Sequence, residues 1–171
     1  MDIFVELARK TIQQYLDRKD TPELQDLIDK LPNQRAACFV SYHLKENDEL
    51  RGCLGTILPV KKNLADEIRN NAIAACHDSR FTPLAAEEID EIKIQVDVLS
   101  EIEPIESESS LDPKKYGVVV KAKDGRTGLL LPALEGIEDA RHQIALARQK
   151  AGISPLEPIF LSRFTTERHK E

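Results

Sequence analysis

Two stretches of this chain, 36–58 and 116–131, each read as a pair of strands joined by a short polar turn, and this constrains the fold more than any other feature. Strands joined so closely pair antiparallel, because a parallel partner needs a crossover of a dozen or more residues. In the first stretch Ala36 to Leu44 reads as a strand, Lys45 to Glu49 as a turn and Leu50 to Leu58 as the returning strand. In the second, Tyr116 to Ala122 and Thr127 to Leu131 flank Lys123-Asp124-Gly125-Arg126, where Asp-Gly predicts a two-residue hairpin turn. Ile92, Ile94, Val96 and Val98 alternate with Lys93, Gln95 and Asp97, which predicts a further strand with one buried face, and Ile159 to Thr165 reads as a last strand.

Helices are interspersed among these strands. Ile3, Phe4, Leu7, Ala8, Ile12, Tyr15 and Leu16 recur at three- and four-residue spacing, which predicts an amphipathic helix from Asp2 to Arg18. A short second helix is predicted over Pro22 to Leu31, with Pro22 in its first turn and Pro32 stopping it. Leu64, Ile68, Ala72 and Cys76 form an i, i+4 ridge on a helix from Lys61 to about His77, and Pro83 disfavours helical geometry at Thr82. A short turn of helix is expected from Ala85 to Ile89. Ile137 to Ala151 is the last predicted helix, with Gly152 just past its end. Glu101 to Pro113, rich in acids, serines and prolines, reads as a long surface connection. Hairpins mixed with helices indicate an α+β fold, with antiparallel or mixed sheets and packed helices. The 171 residues suit one domain, 1–171, or two small interleaved lobes.

Composition excludes several functions. A net charge of -6 argues against bulk nucleic-acid binding, which needs a concentrated basic surface to displace counterions. Lys114, Lys115 and Lys121 with Tyr116 form only a small basic spot, read as solvated surface. The N-terminal Met1-Asp2-Ile3-Phe4-Val5-Glu6 carries no basic leader, and no apolar run reaches the length of a membrane span, which together predict a cytoplasmic protein with no membrane contact. Three cysteines, Cys38, Cys53 and Cys76, make an odd number at wide spacing and so read as thiols rather than a disulfide framework. No zinc motif is present, and no metal site is expected. Cys38, Cys76 and His43 occupy positions read as structural.

The chemistry concentrates in Leu50-Arg51-Gly52-Cys53-Leu54-Gly55-Thr56. Glycine packs nothing in a strand, so Gly52 and Gly55 around one thiol suggest the close approach of something to the backbone. Strict alternation would place Arg51, Cys53 and Gly55 on one face, and a cation beside the sulfur favours thiolate. Cys53 is therefore either a reactive thiol tuned by Arg51 or a small buried core residue. Arg51 either binds an anionic ligand or pairs with a structural carboxylate. His77 and Asp78 follow the helix carrying Cys76, so a Cys53, His77 and Asp78 arrangement for nucleophilic catalysis can be drawn. Asp78 and Arg80 read equally as a loop-fixing ion pair.

The heptapeptide resembles the Leu-Arg-Gly-Cys-Ile-Gly-Thr signature of the AMMECR domain, with Leu54 replacing the isoleucine. Ala74-Ala75-Cys76-His77-Asp78-Ser79-Arg80-Phe81 is similar to that family's alanine-rich helix followed by Asp-x-Arg-Phe, and Gly128-Leu129-Leu130-Leu131-Pro132 to its Gly-Leu-Leu-Leu-Pro strand. The resemblance implies two small lobes with a cleft between them and the cysteine motif near their junction. It also implies a pathway shared with Memo-like and radical S-adenosylmethionine proteins, which would be the partners. This chain is not the radical enzyme, because it lacks the Cys-x-x-x-Cys-x-x-Cys cluster that holds iron and sulfur. No cofactor is identified.

Two functions follow as expectations. One is an enzyme or enzyme subunit with Cys53 and His77 as catalytic residues and Arg51, Gly52, Gly55, Thr56, Asp78 and Arg80 lining a substrate cleft. The other is a non-catalytic module whose glycine-rich strand accepts a partner's segment or fixes the two lobes.

Overall fold

The computed structural model describes residues 2–17 and 23–171, which divide into two compact units, residues 2–17 and 23–98 with Glu167–Glu171, and Leu99–Thr166. In the first unit helices α1 (Ile3–Asp17), α2 (Glu23–Lys30) and α3 (Leu64–Ala75) accompany strands β1 (Cys38–Leu44), β2 (Leu50–Gly55) and β3 (Ile92–Leu99). Arg18 and Pro22, at the edges of the two predicted N-terminal helices, lie outside the described residues. A final strand, β8 (Thr166–Lys170), completes a sheet of order β2-β1-β3-β8, in which β1 runs antiparallel to both β2 and β3.

The predicted apolar stripes make this unit's core. Val5, Leu7, Ala8 and Ile12 of α1, Leu64, Ile68 and Ala72 of α3, and Val40, Tyr42, Ile94 and Val96 of the sheet share one buried cluster. Burying each large aliphatic side chain contributes about 1.5–3 kcal/mol. Helix α3 starts three residues later than its periodicity suggests, because the Asn63 side chain caps it, accepting from Asp66 N at 2.8 Å. Strand β2 stops at Gly55 rather than Leu58, because the chain beyond turns toward Glu67.

The second unit holds β4 (Glu103–Ile105), β5 (Gly117–Ala122), β6 (Thr127–Leu130), β7 (Ile159–Phe164) and α4 (Ala140–Ala151). Its sheet runs β4-β7-β5-β6, with every pairing antiparallel. Val118, Val120, Leu130, Ile144 and Ala147 form its core. Asp139 caps α4 by accepting from His142 N at 2.8 Å, and Gly152 ends it with φ +65°.

Three differences from the sequence reading have physical reasons. The hairpin turn contains three residues, since Ala122 N donates to Arg126 O and Gly125 alone has positive φ; a two-residue type I′ turn needs it at both central positions. Strand β4 lies inside the segment read as a surface connection, its Pro104 tolerated because β4 is an edge. Strand β8 escapes notice because Thr-Glu-Arg-His-Lys has no apolar alternation, although His169 is buried.

Candidate functional site

Strand β2 forms the edge of its sheet and carries a bulge. Tyr42 pairs with Gly52 and His43 with Leu50, so Arg51 is the extra residue. The bulge interrupts the strict alternation expected along this strand, and Arg51 reaches the segment after α3. Its Nε and Nη2 donate to Glu88 Oε1 and Oε2 at 2.8 and 2.9 Å, and its Nη1 donates to Thr82 O at 3.0 Å. Burial opposes the charged form of Glu88, but the hydrogen bonds from Arg51 and from Ala85 N outweigh it and hold its carboxyl below the usual range. Arg51 thus pairs bidentately with a carboxylate of its own chain.

The two glycines answer to the chain itself. A Cβ on Gly52 would stand 2.6 Å from the Ala75 carbonyl oxygen, and one on Gly55 would stand 2.4 Å from the Phe39 ring. Neither position has room for a side chain. The close approach foreseen at these glycines is that of α3's last turn and of the neighbouring strand.

Cys53 pairs with Ser41, and its own N–H and C=O point to the open side of β2. The N–H donates to Asp78 Oδ2 at 2.9 Å, and the C=O accepts from Arg80 Nη2 at 3.4 Å. Arg80 Nη2 also meets Asp78 Oδ2 at 2.6 Å. The Arg80 hydrogen bond, opposed by burial and aided by the Cys53 and Arg80 backbone N–H groups, lowers the Asp78 carboxyl to about 2. The Asp78 side chain is 5% exposed and the Arg80 side chain 58%, so the pair anchors a cation that faces solvent. Arg80 lies within electrostatic reach of the Cys53 thiol.

The remaining candidates are engaged elsewhere. Thr56 Oγ1 donates to Glu67 Oε1 at 2.6 Å. His77 Nε2 lies 2.9 Å from the Tyr15 hydroxyl, with the two rings edge to face. Cys38 and Cys76 are buried. Burial pushes the Cys38 thiol up to about 12, against a hydrogen bond from Asn71, and raises that of Cys76. Cys53 is half-buried. Among the described residues no group of three His, Cys, Asp or Glu side chains is arranged to hold a metal ion, and no helix is long and apolar enough to cross a membrane. A groove of about 720 Å³ along α4 contains none of the residues of the 50–56 segment.

Sequence reasoning missed Glu67 and Glu88. Glu67 and Asn71 sit with Leu64, Ile68, Ala72 and Ala75 on the buried face of α3, where a polar residue requires a partner, and that was a readable signal. Asn71 Nδ2 donates to Cys38 O at 2.9 Å. Glu88 gave no such signal, since its partner Arg51 is 37 residues away in sequence.

The combination of a helix-backed antiparallel sheet, a glycine-flanked thiol on a bulged edge strand and an Asp-x-Arg-Phe loop closing that edge defines an α+β domain class. The family model AMMECR1 matches residues 5–169, and the chain belongs to this family. It is 45% identical to a Thermotoga maritima protein, over 98% of this chain and 97% of that one. A Clostridium acetobutylicum protein is 42% identical over 99% of this chain, which spans only 36% of that longer protein. The crystal structure of the uncharacterized protein PH0010 from Pyrococcus horikoshii shares the fold with a TM-score of 0.86 and 29% identity, over 98% of this chain and 89% of that one.

Proposed function

We propose that this chain is an enzyme or enzyme subunit in a modification pathway shared with Memo-like and radical S-adenosylmethionine proteins, and that it takes a small anionic substrate at Cys53 and Arg80. One observation carries the reading. Of the three thiols only Cys53 is not fully buried, and the Arg80 cation beside it is fixed by Asp78 while remaining more than half exposed. With Nε and Nη2 held by Asp78 and the Cys53 carbonyl, the fixed, solvent-facing guanidinium offers Nη1 and its positive charge to a carboxylate or phosphate, and that charge favours the thiolate. Arg51, Gly52, Gly55 and Thr56 support the site by holding its backbone, since their side-chain chemistry or space is taken up within the chain.

The alternative, a strand that accepts a partner's segment, is less favoured because Asp78 and Arg80 already occupy the outward N–H and C=O of Cys53. Work beside other proteins is supported by the Clostridium acetobutylicum relative, whose matched region is joined to further polypeptide.

The test is alkylation of the native protein, followed cysteine by cysteine by mass spectrometry. Cys53 labels first, Cys38 and Cys76 label only on unfolding, and Cys53→Ser leaves stability nearly intact. Resistance of Cys53 until unfolding, together with strong destabilisation by Cys53→Ser, would make the thiol a packing residue and remove the proposal.

A further inference from the structure

Beyond Gly55 the chain runs Thr56-Ile57-Leu58-Pro59-Val60-Lys61-Lys62 and presents apolar side chains to solvent. Leu58 is 65% exposed and Val60 62%, with Leu54 at 39% just upstream. Single exposed apolar residues are ordinary, but this segment is also held rigidly. Glu67, wholly buried, accepts from Thr56 Oγ1 at 2.6 Å, Val60 N at 2.9 Å and Lys61 N at 2.7 Å. From outside, Arg35 donates to Pro59 O at 2.9 Å and Lys61 O at 3.2 Å.

Burying a carboxylate costs free energy, and here its hydrogen bonds fix a loop whose side chains point into water. A loop ordered in advance loses little entropy when it docks, which is the advantage of preorganisation. Arg35, Lys61 and Lys62 are exposed around it, a local cluster of positive charge on a chain of net charge -6.

We infer that the segment 54–62 is a docking knob for a partner protein whose surface offers an apolar pocket rimmed by carboxylates. The inference rests on the pathway reading above, and it names the surface through which a partner reaches the strand carrying Cys53. A protein suits the segment better than a membrane. The segment holds no tryptophan or tyrosine of the kind that anchors at lipid interfaces, and the Clostridium acetobutylicum relative joins its matching region to further polypeptide.

The experiment places the photo-crosslinking residue benzoylphenylalanine at Leu58, at Val60 and, as a control, at Leu156, which is 94% exposed in the other unit. Crosslinking is done in cells with the full chain. The expected result is one protein captured at 58 and 60 and not at 156. That protein, once purified, binds the wild-type chain and loses about tenfold or more in affinity with Leu58→Glu or Val60→Glu, and with the milder Leu58→Gln to a smaller degree. Binding weakens as salt is raised.

Three outcomes overturn the inference: no capture above the control, capture of a second copy of this chain only, or sedimentation with phosphatidylserine–phosphatidylcholine vesicles that Leu58→Glu abolishes. Cys53 alkylation is measured on the same variants. Loss of docking with Cys53 still labelling first removes this inference alone, whereas failure of Cys53 to label removes the reading beneath it.

Discussion

Asp78 and Arg80 meet at 2.6 Å and between them take both outward backbone groups of Cys53, so one ion pair closes the edge of β2 at the residue that carries the thiol. Exposed strand edges invite pairing with other chains, and a charged pair seated on the edge prevents it. The same contact gives Cys53 a fixed backbone and a neighbouring cation.

Stability should therefore depend on acid through Asp78. Its folded-state pKa, about 2, lies below the ordinary value of 3.8, so its contribution is fully present above pH ~4 and is lost as pH falls from about 4 to about 2. Asp78→Asn is expected to cost about 1–3 kcal/mol at neutral pH, the range for a charge-assisted hydrogen bond left unmade. Urea unfolding across this window checks it, and the gap between wild type and variant should narrow toward pH 2.

Gly52→Ala should be destabilising by about 1–3 kcal/mol, the usual range for forcing extra volume into a packed site. The added Cβ meets a backbone carbonyl, Ala75 O at 2.6 Å, which cannot rotate away as a side chain would. The urea midpoint should fall with the m-value unchanged. An unaltered midpoint would mean that the space at Gly52 serves something other than α3.

Glu67→Gln replaces one acceptor oxygen with a donor facing Thr56 Oγ1, Val60 N or Lys61 N. The amide protons of Val60 and Lys61 should lose protection in hydrogen exchange while those of β1 keep theirs. The expected stability loss is about 1–3 kcal/mol, from a wholly buried side chain whose hydrogen bonds are no longer all made.

The sequence conveyed the architecture well where its signal was local. The alternation from Ile92 to Val98, the stripe from Ile3 to Leu16 and the two hairpins appear as elements close to where periodicity sets them. The site was less legible because its meaning depends on distant partners. Arg51 and Cys53, two positions apart, suggest a shared face, but the bulge at Arg51 is set by pairing with β1, and its carboxylate partner lies at position 88. The glycines were read as an opening for a ligand, whereas Ala75 and Phe39 fill that space. Asp78 and Arg80 were readable as a pair because they are two residues apart, but not their hold on Cys53, which is 25 residues from Asp78.

The last prediction separates the two arginines at the motif. Arg51 is engaged by Glu88 and bears electrostatically on Cys76, while Arg80 bears on Cys53. Arg51→Gln should therefore lower stability by about 1–3 kcal/mol and leave Cys53 alkylation at neutral pH unchanged. Arg80→Gln should slow Cys53 alkylation at the same pH, because removing a nearby cation reduces the thiolate fraction. Arg80→Lys, which keeps the charge, should retain most of the rate. The Arg80 side chain is 58% exposed, so its effect is open to screening, and the difference between wild type and Arg80→Gln should shrink in about 1 M salt, where the Debye length falls to ~3 Å. Iodoacetamide labelling of the native variants between pH 6 and 9 reads all of this; slowing by Arg51→Gln with no effect of Arg80→Gln would return the cation's role to Arg51.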